Sequence, residues 1–333
     1  MNYDFFVGID VSKSTVDVAV CCQQPEEQSI AHKQFKNDQA GMAKLGLWLS
    51  AIPAFEQQKS IFCMEATGIY CYPLIEYLQA NNANIWVENA VQIKRSLGMV
   101  RGKNDKVDAI RIAQYAFRFN ERIRLWRPLR DVVDKVKNLA ALRHRLVDTQ
   151  QRLLIPIEEM KAMGNLKMAE ILERNIQKSL KAIDKDIEKI EAEMQTIINT
   201  DESLKKTFKL ITSVVGIGFV TAVNLIVHTN EFKTINTARK LACYCGVAPF
   251  EYRSGSSIRG KTRVNNMANK KLKAYLHMAS LTAVRYDPEL KHYYERKVAE
   301  GKHKLSVLNA VKCKLLARVA AVVNNQQLYV KNI

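Results

Sequence analysis

The sequence predicts a mixed α/β domain followed by two largely helical regions. Runs of β-branched and aromatic residues alternate with helix-like segments over the first third of the chain. Beyond about residue 130, apolar residues recur at helical spacing instead. With 333 residues, of which 47% are hydrophobic, the chain is long enough for about two domains with cores of their own.

The first predicted elements are three strands and a helix. Residues 5–20 carry β-branched side chains on both sides of a turn at residues 12–14, which predicts a hairpin. Residues 32–35 add a third strand. Asp38 is placed to cap the next helix. The apolar face of that helix carries Met42, Leu45, Leu49 and Ile52.

The rest of the first domain alternates strand and helix. Strands are predicted at residues 60–64 and 84–87, a helix at 69–80, and a second helix from Asp105 to about Phe119. The order β-β-β-α-β-α-β-α is that of the ribonuclease H-like (RuvC-like) fold. We therefore expect this α/β fold over residues 1–128.

Residues 129–200 have the pattern of a coiled coil. Alternating steps of four and three connect Val132, Val136, Leu139, Leu146 and Leu153, with Arg143 and Gln150 at the positions between the last three. The same spacing recurs without a break from Ile176 to Ile197, with charges at the other positions. Pro156 is expected to end or kink the first helix. The helical hairpin could close on itself or pair with another chain, and the long apolar seam favours the second alternative.

The last region, residues 201–333, is predicted to be a mostly helical domain. Gly216 and Gly218 would form a tight turn between two short helices. Such a helix-hairpin-helix unit offers backbone N–H groups to a phosphate. The alternative is an ordinary helical hairpin with no ligand.

The charge of the chain favours a nucleic acid partner. Its formal net charge is +18, although a merely basic protein is the alternative. No acidic residue occurs between Tyr252 and Tyr286, a stretch typical of a nucleic-acid face. The predicted binding residues, besides Gly216 and Gly218, are Lys94, Arg95, Arg101, Lys103, Arg253, Arg259, Lys261, Arg263, Lys270 and Lys271.

Cysteine usage and hydropathy indicate a cytosolic protein. The seven cysteines include no CxxC pair, which argues against a disulfide framework and against a structural zinc site. No apolar run approaches the ~20 residues of a membrane-spanning helix. The N-terminus lacks the pattern of a signal peptide.

Four carboxylates of the first domain are candidate metal ligands. Asp10 and Glu65 end two strands that would lie side by side, and Asp105 and Asp108 share one face of a helix start. Two Mg²⁺ ions about 4 Å apart would relieve the repulsion among them and could act at phosphorus. Alternatively, Asp105 is a plain helix cap. Asp17, inside the second strand, is expected to face solvent.

Residues 253–260 form a predicted loop of small residues between arginines. A serine there would have cations nearby to hold a phosphate. A serine hydroxyl is a poor nucleophile without such help. The residues alone favour a phosphate-binding loop over a catalytic serine.

Six segments together resemble the bacterial insertion-sequence transposases with a D-E-D-D carboxylate set, a group related to the pilin-gene invertase. The likeness covers nearly the whole chain in the right order. The segments are GIDVSK at 8–13, EATGIY at 65–70, KNDKVDA at 103–109, VVGIG at 214–218, CGVAPFEYRSGSSIRGKTR at 245–263, and the basic helical tail near 302–318. One departure is the VVGIG hairpin, where relatives often have a proline before the glycine.

The resemblance implies an RNA-guided DNA recombinase. Ser254, rather than Ser256 or Ser257, matches the nucleophile that forms a phosphoserine bond with DNA. The partners implied are donor and target DNA and a structured guide RNA, called a bridge or seeker RNA. The four metal-binding carboxylates that the resemblance implies are Asp10, Glu65, Asp105 and Asp108.

The same carboxylates and basic segments leave two alternatives to a recombinase and suggest an oligomeric assembly. A Holliday-junction-type endonuclease would use the carboxylates without a covalent serine. A non-catalytic nucleic-acid-binding descendant would bind without cutting. Because the carboxylates and the serine lie in different domains, we expect a composite active site in a homo-dimer or homo-tetramer, acting at the nucleoid.

Overall fold

The computed structural model describes residues 3–22, 30–66, 68–96, 104–254, 258–264 and 267–330. For residues 252–254, 258, 259 and 261 only the backbone is described. The chain forms two compact units, Met1–Pro128 and Leu129–Ile333.

The first unit is built on a five-stranded mixed sheet. Its strands are β1 (Phe5–Val11), β2 (Thr15–Cys22), β3 (Ala31–Lys36), β4 (Ser60–Glu65) and β5 (Asn84–Glu88). The strand order is β3-β2-β1-β4-β5. The first three strands pair antiparallel, whereas β1, β4 and β5 run parallel. Each strand prediction agrees with the structure to within about two residues.

Helices cover both faces of this sheet. They are α1 (Gln39–Ser50), α2 (Tyr72–Ala80), α3 (Ala90–Ser96) and α4 (Asp105–Arg118). The Asp38 side chain accepts from the Gly41 N–H at 2.7 Å and caps α1, as predicted. Buried side chains of α1 and α2 pack on one face of the sheet, and those of α3 and α4 pack on the other. The short helix α3 was not predicted.

Gly8 allows α4 to lie directly on the centre of the sheet. A Cβ atom at this position would overlap the backbone nitrogen of Ala113 and the carbonyl oxygen of Ala109. Both atoms belong to the backbone of α4, so neither can move aside as a side chain could. The glycine therefore fixes how closely the middle of α4, at Ala109 and Ala113, approaches the middle of β1.

Gly8→Ala should destabilise the protein by about 3 kcal/mol or more, because the clash requires the whole helix to shift. Denaturant unfolding followed by circular dichroism would measure the loss. Gly218→Ala is the matched control, because a Cβ there meets nothing within 4 Å. An equal loss in both variants would contradict the close approach at Gly8.

The second unit is mostly helical. Its elements are α5 (Asp131–Ala162), α6 (Leu166–Thr200), α7 (Glu202–Thr212), α8 (Phe219–Thr229), α9 (Ala238–Tyr244), strands β6 (Pro249–Ser254) and β7 (Ile258–Val264), α10 (Lys270–Tyr286), α11 (Pro288–Ala299) and α12 (Lys304–Asn325). An α/β N-terminal part and a largely helical C-terminal part were predicted, and both are confirmed.

The long helices α5 and α6 form an antiparallel hairpin within the chain. Polar pairs cross between them at Arg143–Glu191, Gln150–Asp184 and Lys161–Glu173. The residue number rises on α5 as it falls on α6, as an antiparallel pair requires. The hairpin therefore packs on itself, the first of the two alternatives left by the sequence.

Pro156 does not end α5, contrary to one reading of the sequence. The helix continues past it to Ala162. The proline is solvent-exposed, so the helix carbonyl that it leaves without a partner can be hydrated. The next residue, Ile157, is buried, which helps hold this last part of α5 in place.

The base of the hairpin shares one core with the rest of the second unit. Val133 and Val136 of α5 and Met194 and Ile198 of α6 belong to the same buried cluster as residues of α7 to α12. Within the described part of the chain, no helix is long and apolar enough to span a membrane.

Candidate active site

A row of four carboxylates crosses the sheet of the first unit on the face that α4 covers. Asp10 of β1 is the register partner of Asp17 of β2, and Glu65 of β4 is the partner of Glu88 of β5. Ile9 pairs with Met64 on the parallel strands β1 and β4. The next residues, Asp10 and Glu65, therefore lie side by side, Asp10 one residue before the end of β1 and Glu65 at the end of β4. Because side chains alternate along a strand, Asp10 shares the face of Gly8.

The first turn of α4 supplies two more carboxylates, Asp105 and Asp108. Asn104 caps the helix, since its side chain accepts from the Val107 N–H at 2.8 Å. The alternative that Asp105 is the cap is therefore wrong. The helix dipole favours negative charge at this end. The guanidinium of Arg111 partly balances the negative charge of Asp108, since Arg111 Nη1 lies 2.9 Å from Asp108 Oδ1.

The electrostatics of Asp10 record how these carboxylates converge. Burial, followed by the charges of Asp105, Asp108, Glu65 and Asp17, raises the pKa of Asp10 to about 6. Among the residues described, none donates a hydrogen bond to the Asp10 carboxylate. Burial and the neighbouring carboxylates therefore disfavour the negative charge of the half-buried Asp10 carboxylate.

Asp17 is not solvent-facing, and the expectation from the sequence is wrong. The residue is 3% exposed. Its carboxylate is held by His32 Nε2 at 2.9 Å and Gln34 Nε2 at 2.8 Å, both from β3. Asp17 is therefore a buried neighbour of Asp10 at the edge of the site.

Glu88 is a further carboxylate that the sequence reasoning missed. It ends β5 beside Glu65. Its Oε2 accepts from the Tyr115 hydroxyl at 3.3 Å, and its Oε1 accepts from the Asn89 N–H at 2.7 Å. The available signal was its place one residue beyond the predicted strand, the same position that singled out Glu65.

The donor set suits a hard divalent cation. Asp10, Glu65, Asp105 and Asp108 offer only oxygen ligands, which Mg²⁺ prefers. In the described parts of the chain, no three His, Cys, Asp or Glu side chains are grouped closely enough to hold a metal ion as they stand. Asp108 is instead paired with Arg111 at 2.9 Å.

The predicted serine loop is part of a β-hairpin in the second unit. Ser254 is the last residue of β6 and pairs with Ile258 of β7. Arg253 pairs in register with Arg259. The sequence suggested only a loop at residues 253–260, but residues 253–254 and 258–260 belong to two paired strands. Ser256 and Ser257 lie outside the described residues.

The predicted nucleic-acid residues lie on several elements. Lys94 and Arg95 are exposed in the last turn of α3. Arg101 and Lys103 fall outside the described residues. The others lie along the β-hairpin and the start of α10: Arg253 on β6, Arg259, Lys261 and the exposed Arg263 on β7, and the exposed Lys270 and Lys271 at the first two positions of α10.

The two glycines of the predicted hairpin differ in role. Gly216 has a φ of +96°, and a Cβ there would meet the Ala279 carbonyl oxygen and the Ala283 side chain of α10. Gly218 caps α8 and has open space around it. The helix–turn–helix geometry is as predicted. Gly216 serves packing, and Gly218 leaves the N-terminus of α8 accessible.

Comparison with known proteins identifies the family. A transposase model of the IS110 DEDD type matches residues 7–160, and a model described as the transposase IS116/IS110/IS902 family matches residues 208–295. Pilin gene-inverting proteins of Moraxella bovis and Moraxella lacunata are each 27% identical over 333 residues, covering 98% of both chains. The transposase for insertion sequence element IS1533 of Leptospira borgpetersenii is 25% identical, over 72% of this chain and 73% of its own. With both family domains present in order, the chain belongs to the IS116/IS110/IS902 family of transposases.

Proposed function

We propose that this transposase cuts and rejoins DNA with metal-bound carboxylates and a serine nucleophile. The carboxylates are Asp10, Glu65, Asp105 and Asp108, and the nucleophile is Ser254. The observation that carries the proposal is the placement of Asp10 and Glu65 side by side on β1 and β4. The charges of Asp105, Asp108 and Glu65 act on Asp10 there and, with burial, raise its pKa. A charge concentration of this kind is typical of catalytic sites.

The fold of the first unit is proposed to be ribonuclease H-like. Three antiparallel strands followed by two parallel ones, in the order β3-β2-β1-β4-β5, support this assignment. The carboxylates lie where this topology brings strand ends and the start of α4 together. The fold alone does not determine the chemistry, which depends on the carboxylates themselves.

The four carboxylates would hold one or two Mg²⁺ ions, which would supply Lewis-acid stabilisation of the charge that develops at phosphorus. Asp10 lies between Asp17 and Glu65 in the row and is positioned as the shared ligand. The hydrogen bonds from His32 and Gln34 hold Asp17 in place. Asp10 therefore keeps a fixed, negatively charged neighbour.

The serine step conserves the energy of the broken bond. Ser254 Oγ attacks phosphorus, one P–O bond of the DNA strand breaks, and the released hydroxyl oxygen takes up a proton. The phosphoserine bond is then attacked by a DNA hydroxyl, which frees Ser254 and rejoins strands without ATP. Arg253 and Arg259, in register on β6 and β7, can offset the developing charge.

RNA guidance is proposed from the resemblance and supported by charge. The net charge of +18 is large for a chain of 333 residues. The exposed cations lie on separate elements: Lys94 and Arg95 in the first unit, and Lys270 and Lys271 in the second. Separate basic surfaces suit a protein that holds a guide RNA together with donor and target DNA at the bacterial nucleoid.

A homo-dimer or homo-tetramer is proposed from the α5–α6 hairpin. The two helices leave large apolar side chains exposed, most of them near the tip of the hairpin. They are Leu142, Ile155, Met163, Leu166, Met168 and Ile171, each more than 40% exposed. A second hairpin would remove them from water, as in a coiled-coil bundle. Such an assembly would allow Ser254 of one copy to act with carboxylates of another.

RNA guidance has a direct test. RNA that copurifies with the full chain should contain one enriched structured species, and its removal by ribonuclease should abolish cleavage of a DNA substrate complementary to it. Adding the same RNA back should restore cleavage. Undiminished cleavage after ribonuclease treatment would contradict RNA guidance and leave the carboxylate–serine chemistry standing.

A further inference from the structure

Lys312 is a buried lysine, and no carboxylate lies beside it in the part of the chain that the structure describes. It lies on α12 among Val311, Leu315 and Leu316 of the core and is 7% exposed. Lysines are rarely so buried unless they are paired. Within the described residues, no side chain or backbone oxygen accepts a hydrogen bond from its amine.

Arg318, on the same helix, is also largely buried but has acidic partners. Its side chain is 12% exposed, and it pairs with Asp287 at 2.7 Å and Glu289 at 2.6 Å. Among the described residues, Arg318 thus has acidic partners and Lys312 has none. A buried cation left without a partner is costly, so its retention points to a ligand that is absent from the folded chain alone.

The neighbours of Lys312 are also basic. Burial, and then the charge of Lys273, lower the pKa of Lys312. Burial, and then the charge of Lys312, lower the pKa of His277. Lys273 and His277 are four residues apart on α10, share one face of that helix, and are half-buried. The helices α10 and α12 pack against each other, which brings Lys273 and His277 near the buried amine of Lys312.

The same turn of α12 holds the chain that leads into the serine hairpin. The Asn309 side chain donates to the Val247 carbonyl at 2.7 Å, and Cys313 Sγ donates to the same oxygen at 3.3 Å. Val247 lies two residues before the start of β6, the strand that ends at Ser254. A ligand at Lys312 would thus lie at the base of the hairpin.

We infer that Lys312, Lys273 and His277 form a phosphate-binding site at the base of the β6–β7 hairpin, which takes one phosphodiester group of a bound nucleic acid strand. The inference rests on the proposed function, because it names nucleic acid as the ligand. A phosphate brings the compensating charge and strong acceptors that the buried amine lacks. Its binding would fix the strand relative to the hairpin that carries the nucleophile.

The test compares two single-charge removals on one helix. Lys312→Met should weaken binding of a fluorescent DNA duplex by the full chain roughly tenfold. It should also reduce the slope of log affinity against log salt by roughly 0.9, the loss of one phosphate contact. Lys314→Met is the control, because Lys314 lies instead over the Tyr293 ring at 4.8 Å. It should change neither quantity.

Lys273→Gln should reduce the slope of log affinity against log salt by the same amount. Because Lys273 is only half-buried, this variant tests the site even if Lys312→Met fails to fold. Unchanged affinity and slope in both variants, with wild-type binding intact, would overturn the phosphate site and leave the proposed function standing. Failure of the wild-type chain to bind nucleic acid would overturn the proposed function, and this inference with it.

Discussion

Replacing Asp10 with asparagine should abolish DNA cleavage while making the metal-free protein more stable at neutral pH. Loss of a shared metal ligand removes several kcal/mol of transition-state stabilisation, so cleavage should fall by about a thousandfold or more. The folded protein should nevertheless become more stable, because asparagine removes a negative charge that burial and the neighbouring carboxylates disfavour. A residue needed only for folding would not show this combination.

The pH dependence follows from the raised pKa. Burial and neighbouring charges raise the pKa of Asp10 from 3.8 to about 6. A carboxyl with a raised pKa in the folded state contributes stability at low pH, and that contribution is lost as the pH rises through about 6. Asparagine is uncharged at every pH, so Asp10→Asn should remove this loss. Thermal unfolding of both proteins in EDTA, between about pH 4 and pH 8, measures this difference in the pH dependence of stability.

Glu76→Gln is the matched control for Asp10→Asn. Glu76 is an exposed carboxylate on α2, which packs on the opposite face of the sheet. It should change neither cleavage nor the pH profile of unfolding. Full cleavage by Asp10→Asn, or cleavage by the wild-type protein in EDTA, would contradict a metal-dependent carboxylate site.

Ser254→Ala should eliminate the covalent protein–DNA adduct and all strand rejoining while leaving nucleic acid binding unchanged. The hydroxyl is the proposed attacking group, so its removal leaves no atom to form the ester bond to phosphorus. The expected effect is a fall of the adduct to background on a denaturing gel with labelled DNA. Binding affinity, measured in parallel, shows whether the protein remains intact.

The neighbouring serines supply controls of the same chemistry. Ser256→Ala and Ser257→Ala each remove one hydroxyl from the segment that joins β6 to β7, yet both should retain the adduct. Loss of the adduct in either variant, with Ser254→Ala still active, would reassign the nucleophile. DNA cleavage without an adduct in any variant or in the wild type would favour a Holliday-junction-type endonuclease.

Much of the first unit could be predicted because its signals are local. Strand runs rich in β-branched residues, the turn at residues 12–14, and the cap at Asp38 each depend on a few neighbouring residues. Asp10 and Glu65 could be singled out because both follow apolar strand runs. The position of Gly8 under α4 could not be predicted, since it depends on a contact about a hundred residues away.

Asp17 was misjudged because β2 is buried on both faces. A strand with one solvent face alternates apolar and polar residues, but a strand covered on both faces gives no such pattern. Val16 and Val18 face one cluster, and Ala19 and Cys21 the other. Only the pairing with β3, which brings His32 and Gln34 to the carboxylate, accounts for a buried aspartate here.

The second unit shows two further limits of local reasoning. Strands β6 and β7 carry mostly polar and basic residues, and cross-strand pairing stabilises them more than propensity does. Helix α5 passes through Pro156 because packing against α6 outweighs a local cost of about 3 kcal/mol. The sequence around Lys312 is typical of a basic surface helix. The burial of Lys312 could not be predicted, because it depends on the packing of α10 against α12.

The most direct test of the account is to identify the residue that becomes linked to DNA. The wild-type protein would be incubated with Mg²⁺ and its DNA substrate, digested with protease and nuclease, and examined by mass spectrometry. We expect a nucleotide on the peptide that contains Ser254, formed with Mg²⁺ and absent in EDTA or in Asp10→Asn. A nucleotide on a tyrosine such as Tyr252, or a Ser254 adduct that forms equally well without metal, would contradict it.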